Sequence, residues 1–141
     1  MKAEELMAGN WVKVSPSGMP IKVAAVHHKK VAYHAYVHKL TWVRESFIVP
    51  IPLTGEILEE NGFVLQVASA VTKEYHYILG DDTDDMLFVT INKNTDFVKI
   101  YYCPIDTIRM IDVNIPHCGV HQLQQALSLA GIKKNIVLKS V

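Results

Sequence analysis

Cysteine is scarce. Cys103 and Cys118 are the only two in 141 residues, too few for a disulfide framework. The chain is read as cytoplasmic, with both thiols reduced. Neither sign of charge is in excess: fourteen Lys/Arg balance fourteen Asp/Glu. A zero net charge removes any global case for nucleic acid or an anionic membrane. Long hydrophobic runs are missing as well. The longest, Phe47 to Leu53, is broken by Pro50 and Pro52, so no membrane span is expected. The opening Met1-Lys2-Ala3-Glu4-Glu5 lacks the cationic and apolar regions of a signal peptide. There is no P-loop, no dinucleotide-binding glycine pattern and no nucleophile elbow. No catalytic set converges, and no cofactor or resident metal is expected.

What is present is apolar. Half the residues are hydrophobic, enough for a real core in one domain or two small ones. The charges are unevenly spread. Residues 1–50 hold seven Lys/Arg against three acids, and residues 51–115 hold four against eleven. Residues 116–141 hold three against none.

The best-punctuated stretch is Pro50 to Phe63. The two prolines keep the chain extended, and Thr54 is placed to cap a helix over 54–62. Leu53 and Leu58 suit a hydrophobic staple. Asn61-Gly62 should end the helix, with Phe63 folding back onto Leu58. Before it, residues 2–8 suggest a short helical turn. Strands are expected at 11–14, 21–26, 31–40 and 41–48, with Ser15 to Gly18 and His27 to Lys30 as turns. After it come strand-like stretches 63–70 and 71–79, an acidic loop at 80–85, a hairpin of 86–92 with 97–103, and a strand within 105–115. Val120 to Gly131 is a second helix, with Val120, Leu123, Ala126, Leu127 and Ala130 on one apolar face. Residues 136–138 read as an edge strand. The fold class expected is α+β, mainly β. A small Src-homology-like barrel occupies 1–53, and 54–141 adds a linker helix and an antiparallel sheet packed by one helix. The two halves either share a core or fold apart.

Three blocks also carry a resemblance. They are Pro50 to Phe63, Leu6 to Val12, and the run Val113-Asn114-Ile115-Pro116, Val120 to Gln124 and Ala130-Gly131-Ile132. In this order they resemble a family of small uncharacterised proteins of gut anaerobic bacteria, often encoded near phage or mobile-element genes. The resemblance implies an architecture and no activity. Gly55 departs from the family pattern, which has a better helix former there.

Four groups of residues could carry chemistry. His117, Cys118 and His121 are metal-ligating types, and Cys118 near His121 is the Cys–His pair considered for thiol chemistry. A structural zinc needs four ligands, however, and a thiol enzyme needs oxyanion donors. His34, Tyr36 and His38 alternate onto one strand face, a surface suited to stacking on a base or ring. His34 and His38 lie roughly 13 Å apart, too far to share one ion. His27, His28, Lys29 and Lys30 form a turn able to contact phosphate. The loop Asp81 to Asp85 lacks the glycine and terminal Glu of an EF-hand and reads as an acidic solvated turn. Leu129 lies off the apolar stripe of its helix.

The leading expectation is a non-enzymatic binding module, with a protein partner or a second copy as ligand, serving a mobile element. The candidate binding residues are His34, Tyr36, His38, His121, Gln125 and Leu129. The alternatives are nucleic-acid binding by the basic N-terminal half, and a metal or thiol hydrolase near Cys118 and His121.

Overall fold

The computed structural model describes residues 1–15, 18–36, 39–79, 86–102 and 111–139. They form ten strands in two five-stranded antiparallel sheets, with two α-helices. The fold is α+β and mainly β. The chain divides into two compact units, Met1–Pro52 with Gly119–Gln125, and Leu53–Cys118 with Ala126–Val141.

In the first unit β1 (Trp11–Val14), β2 (Met19–His27), β3 (Lys30–Tyr36) and β4 (Lys39–Arg44) form a meander. A 3-10 turn, Glu45–Phe47, leads into β5 (Ile48–Pro50), which returns to pair with β1. The sheet runs in the order β4-β3-β2-β1-β5, and the small Src-homology-like barrel expected for 1–53 is not seen as a closed barrel. Among the described residues no ladder joins β4 to β5, so the sheet stays open. Alternation places Val12, Ile21, Val23, Val31 and Ile48 inside, joined by Ala3 and Leu6 from the N-terminal segment.

The stretch 41–48, expected as one strand, is therefore split. The side chain of Glu45 accepts the Ala3 amide at 2.7 Å, and its own N–H donates to the Lys29 carbonyl at 2.8 Å. These two long-range bonds hold a turn that no Gly or Pro signals. The expected strand 31–40 likewise resolves into β3 and β4.

Helix α2 (Val120–Leu129) begins in this unit. The Gln124 carboxamide takes the place of a strand partner. Its Oε1 accepts the Trp11 N–H at 2.8 Å and its Nε2 donates to the Gly9 carbonyl at 2.9 Å. Gln125 donates to the Glu5 carbonyl and to Asn10 Oδ1. The blocks Leu6–Val12 and Val120–Gln124 thus meet through the Gln124 carboxamide and the backbone of Gly9 and Trp11.

The second unit opens with α1 (Gly55–Glu60). Thr54 caps it, its hydroxyl accepting the Ile57 N–H at 3.3 Å. Gly62, at φ 87°, stops it. The Phe63 N–H then reaches the Leu58 carbonyl and the Gly62 N–H reaches that of Glu59, the two bonds of a Schellman stop. Helix α2 ends the same way, with Gly131 at φ 71° and the Ile132 N–H on the Leu127 carbonyl.

Strands β6 (Val64–Ala68), β7 (Thr72–Ile78), β8 (Met86–Asn92), β9 (Phe97–Tyr102) and β10 (Ile111–Pro116) follow in a simple meander. Ser69 makes the break between β6 and β7: its hydroxyl accepts from the Val71 and Thr72 amides. The inner face buries Tyr75, Leu87, Val89, Val98, Ile100 and Tyr102. Gly55 is what admits Tyr75. A Cβ at that position would overlap the Tyr75 hydroxyl and lie 3.0 Å from Cζ. The departure from a good helix former therefore has a packing reason.

Residues 136–138 do not form the expected edge strand. Buried Asn61 takes their backbone instead. Its Oδ1 accepts the Val137 N–H at 2.7 Å, and its Nδ2 donates to the Val137 carbonyl and to the Ile57 carbonyl, both at 2.8 Å.

Candidate nucleic-acid interface

The charges of the first unit are segregated. Its five strands carry Lys13, Lys22, Lys30, Lys39 and Arg44 and no Asp or Glu. All three acids of residues 1–50 sit in the two 3-10 turns, Glu4 and Glu5 in one and Glu45 in the other. The pleat then sorts the strand residues by face. Val12, Ile21, Val23, Val31 and the half-buried Val43 point to the core. Trp11, Lys13, Lys22, Lys30, Trp42 and Arg44 alternate with them and point outward.

The register tightens this surface into rows. Trp11 pairs with Lys22, whose Nζ lies 5.9 Å from the indole centroid. His27 pairs with Lys30, and Lys30 with Arg44. Ala32 pairs with Trp42 and His34 with Leu40. Trp42 is 44% exposed and meets the His27 ring edge-on, centroids 6.4 Å apart. Both tryptophans of the chain lie on this face, among four cations and no carboxylate.

At one end the β2–β3 turn forms a cavity of about 760 Å³, lined by Lys2, Glu4, His27, His28, Lys29, Lys30 and Glu45. His28 holds φ 53°, which turns the chain tightly between the strands. The Glu45 bond to the Lys29 carbonyl fixes this turn against the second 3-10 segment. Glu45 accepts the Ala3 amide, and Glu4 is a second carboxylate in the lining, set against three ammonium groups and two imidazoles. Beyond Trp11 a groove of about 610 Å³ runs between Met19, Lys22, Ala24 and His34.

The expected site residues are distributed as follows. His34 is exposed and lines the groove. Tyr36 is 75% exposed, but a bulge between His34 and Tyr36 moves it into register with Lys39. His34 pairs with Leu40 on the other side of that bulge. His38 lies outside the described residues, as does Asp81 to Asp85. Gln125 serves the fold through its bonds to Glu5 and Asn10. Leu129 is 87% exposed, in the second unit.

His121 is buried, 5% exposed, with Nδ1 lacking a hydrogen-bond partner among the described residues. Gly119 makes room for the ring: a Cβ there would lie 2.7 Å from Nδ1. Burial pushes the imidazole below its ordinary value, and Glu5 opposes this more weakly.

The Cys118 thiol is buried, and burial pushes it up to about 12. At that value the thiol is protonated at neutral pH. His117, one of the three expected metal-ligating residues with Cys118 and His121, sits at φ 49° with its ring exposed, 3.9 Å from Asp96. Among the described residues no three His, Cys, Asp or Glu side chains are grouped to hold a metal.

What the sequence reading missed is Trp42 with Arg44, and Trp11 with Lys22. The signal was available in the charge pattern, because no acid interrupts the strand segments. Comparison with protein-family models, curated proteins and solved structures finds no match to the chain. Among the described residues no helix is long and apolar enough to cross a membrane.

Proposed function

We propose that the protein is a non-catalytic binding module that holds nucleic acid on the outward face of its first sheet. One observation carries this reading: five strands with five Lys/Arg, both tryptophans and no carboxylate. Cations that track a phosphate backbone, interleaved with aromatic rings, are what such a surface needs. The net charge of zero is no objection. The first unit carries seven Lys/Arg against three acids, and the balance lies in the second. Fluorescence anisotropy with labelled oligonucleotides tests the reading. Affinity should fall steeply with salt, and Lys22→Glu with Lys30→Glu should abolish binding. If no oligonucleotide binds at low salt, the reading fails.

A second reading, a module for a protein partner or a second copy, is favoured by β6. All five of its residues are exposed, and Val64, Leu65 and Val67 are apolar on an uncharged edge strand. Native mass spectrometry separates the two, since a clean monomer would leave that edge without its second copy. Service to a mobile element follows only from the resemblance of the three sequence blocks.

A further inference from the structure

We infer that the nucleic acid is single-stranded, one base lying on Trp42 and the adjoining phosphate held in the β2–β3 turn cavity. This rests on the reading above and narrows it to one ligand class and one location. Three observations join the two stations. Trp42 is exposed at the middle of β4, where a base inside a duplex could not reach its ring face. An unstacked base can, and stacking on an aromatic ring is tolerant of sequence. His27 belongs to both stations, touching the Trp42 ring and lining the cavity. The cavity carries Lys2, Lys29 and Lys30 against Glu4 and Glu45, and Arg44, beside Lys30 across the ladder, adds a fourth cation.

The two parts would do different work. The ammonium groups supply salt-dependent affinity without regard to sequence, and Trp42 selects for a strand whose bases are free to splay. The turn geometry keeps the stations in fixed relation, because Glu45 ties Lys29 on one side and Ala3 on the other.

The test uses the full chain with a ten-residue oligothymidylate and a ten-pair duplex, both dye-labelled, at low salt. The single strand should bind more tightly and quench tryptophan fluorescence. Trp42→Ala should weaken the single strand about tenfold and leave the duplex unchanged. Trp42→Phe should keep most of the affinity, since a ring remains. Replacing Lys29 and Lys30 by Gln should lower the salt slope by about 1, at roughly 0.7 per phosphate contact. Equal binding of both oligonucleotides, unaffected by Trp42→Ala, overturns this inference and leaves the broader reading standing. Equal loss in the Ala and Phe variants also overturns it, because a stacking role survives the Phe change. Failure of both oligonucleotides to bind overturns the inference and the broader reading together.

Discussion

Gly55→Ala offers a case where local propensity and packing disagree in sign. Gly55 is the first residue of α1, and alanine is favoured over glycine in a helix by about 1 kcal/mol. Propensity alone therefore predicts a more stable protein. The structure predicts the reverse. The added methyl would overlap the Tyr75 hydroxyl and crowd Cζ at 3.0 Å. Tyr75 is 1% exposed and held in the core of its sheet, so the ring has little room to retreat. Overpacking of this kind costs about 1–3 kcal/mol, which outweighs the helix gain at a terminal position. A net loss of about 1–2 kcal/mol is expected, read as a lower urea midpoint by far-UV circular dichroism at unchanged slope. Tyr75→Phe removes the overlapping oxygen. The double variant should recover about 1 kcal/mol relative to the sum of the single changes, the coupling expected of residues in contact. A Gly55→Ala protein as stable as its parent, or strict additivity in the double variant, would refute the reasoning.

Asn61→Ala removes three hydrogen bonds at once, one buried and two partly buried, and leaves the Val137 amide without its side-chain partner, at a cost of about 2–4 kcal/mol. Hydrogen exchange should show the Val137 amide losing protection before the strands do. His121, whose folded value is depressed, contributes stability that is complete above its ordinary value of 6.5 and is lost as pH falls through the folded value. Urea midpoints should therefore decline below pH 6.5, and His121→Gln should flatten that decline. An unchanged slope in the variant would place the effect elsewhere. Cys118 has the opposite sign. Its folded value, near 12, lies above the ordinary 9.0, so stability holds below pH 9 and falls above it. In a Cys103→Ser background, a thiol reagent should modify Cys118 only as fast as the protein unfolds. Rapid labelling under native conditions would show the thiol to be accessible.

What could be read from the sequence was whatever a few neighbouring residues decide. The stops of α1 and α2 are local: a glycine at positive φ and an apolar residue after it, both visible in the chain. The hairpin of β8 and β9 is local too. What could not be read depends on distant partners. Ser69 turns β6 into β7 with a hydroxyl that sequence does not distinguish from any surface serine. The bulge at Tyr36 breaks an alternation that otherwise continues in the sequence. The burial of His121 depends on Gly119, where any side chain would collide with the ring. Gly55 looked like a flaw until Tyr75 of β7 was seen to pack against it.

The candidate site follows the same division. Its charge excess was legible as a count over residues 1–50. Its sign pattern comes from the fold: the strands keep the cations, and the turns keep the acids. Glu45 shows why the acids belong there. A carboxylate at a turn can accept the Ala3 amide and hold the chain's return, a task no lysine can perform. On the outward face of a strand it would only repel a phosphate. Structural use of the few acids is thus what leaves the sheet purely cationic.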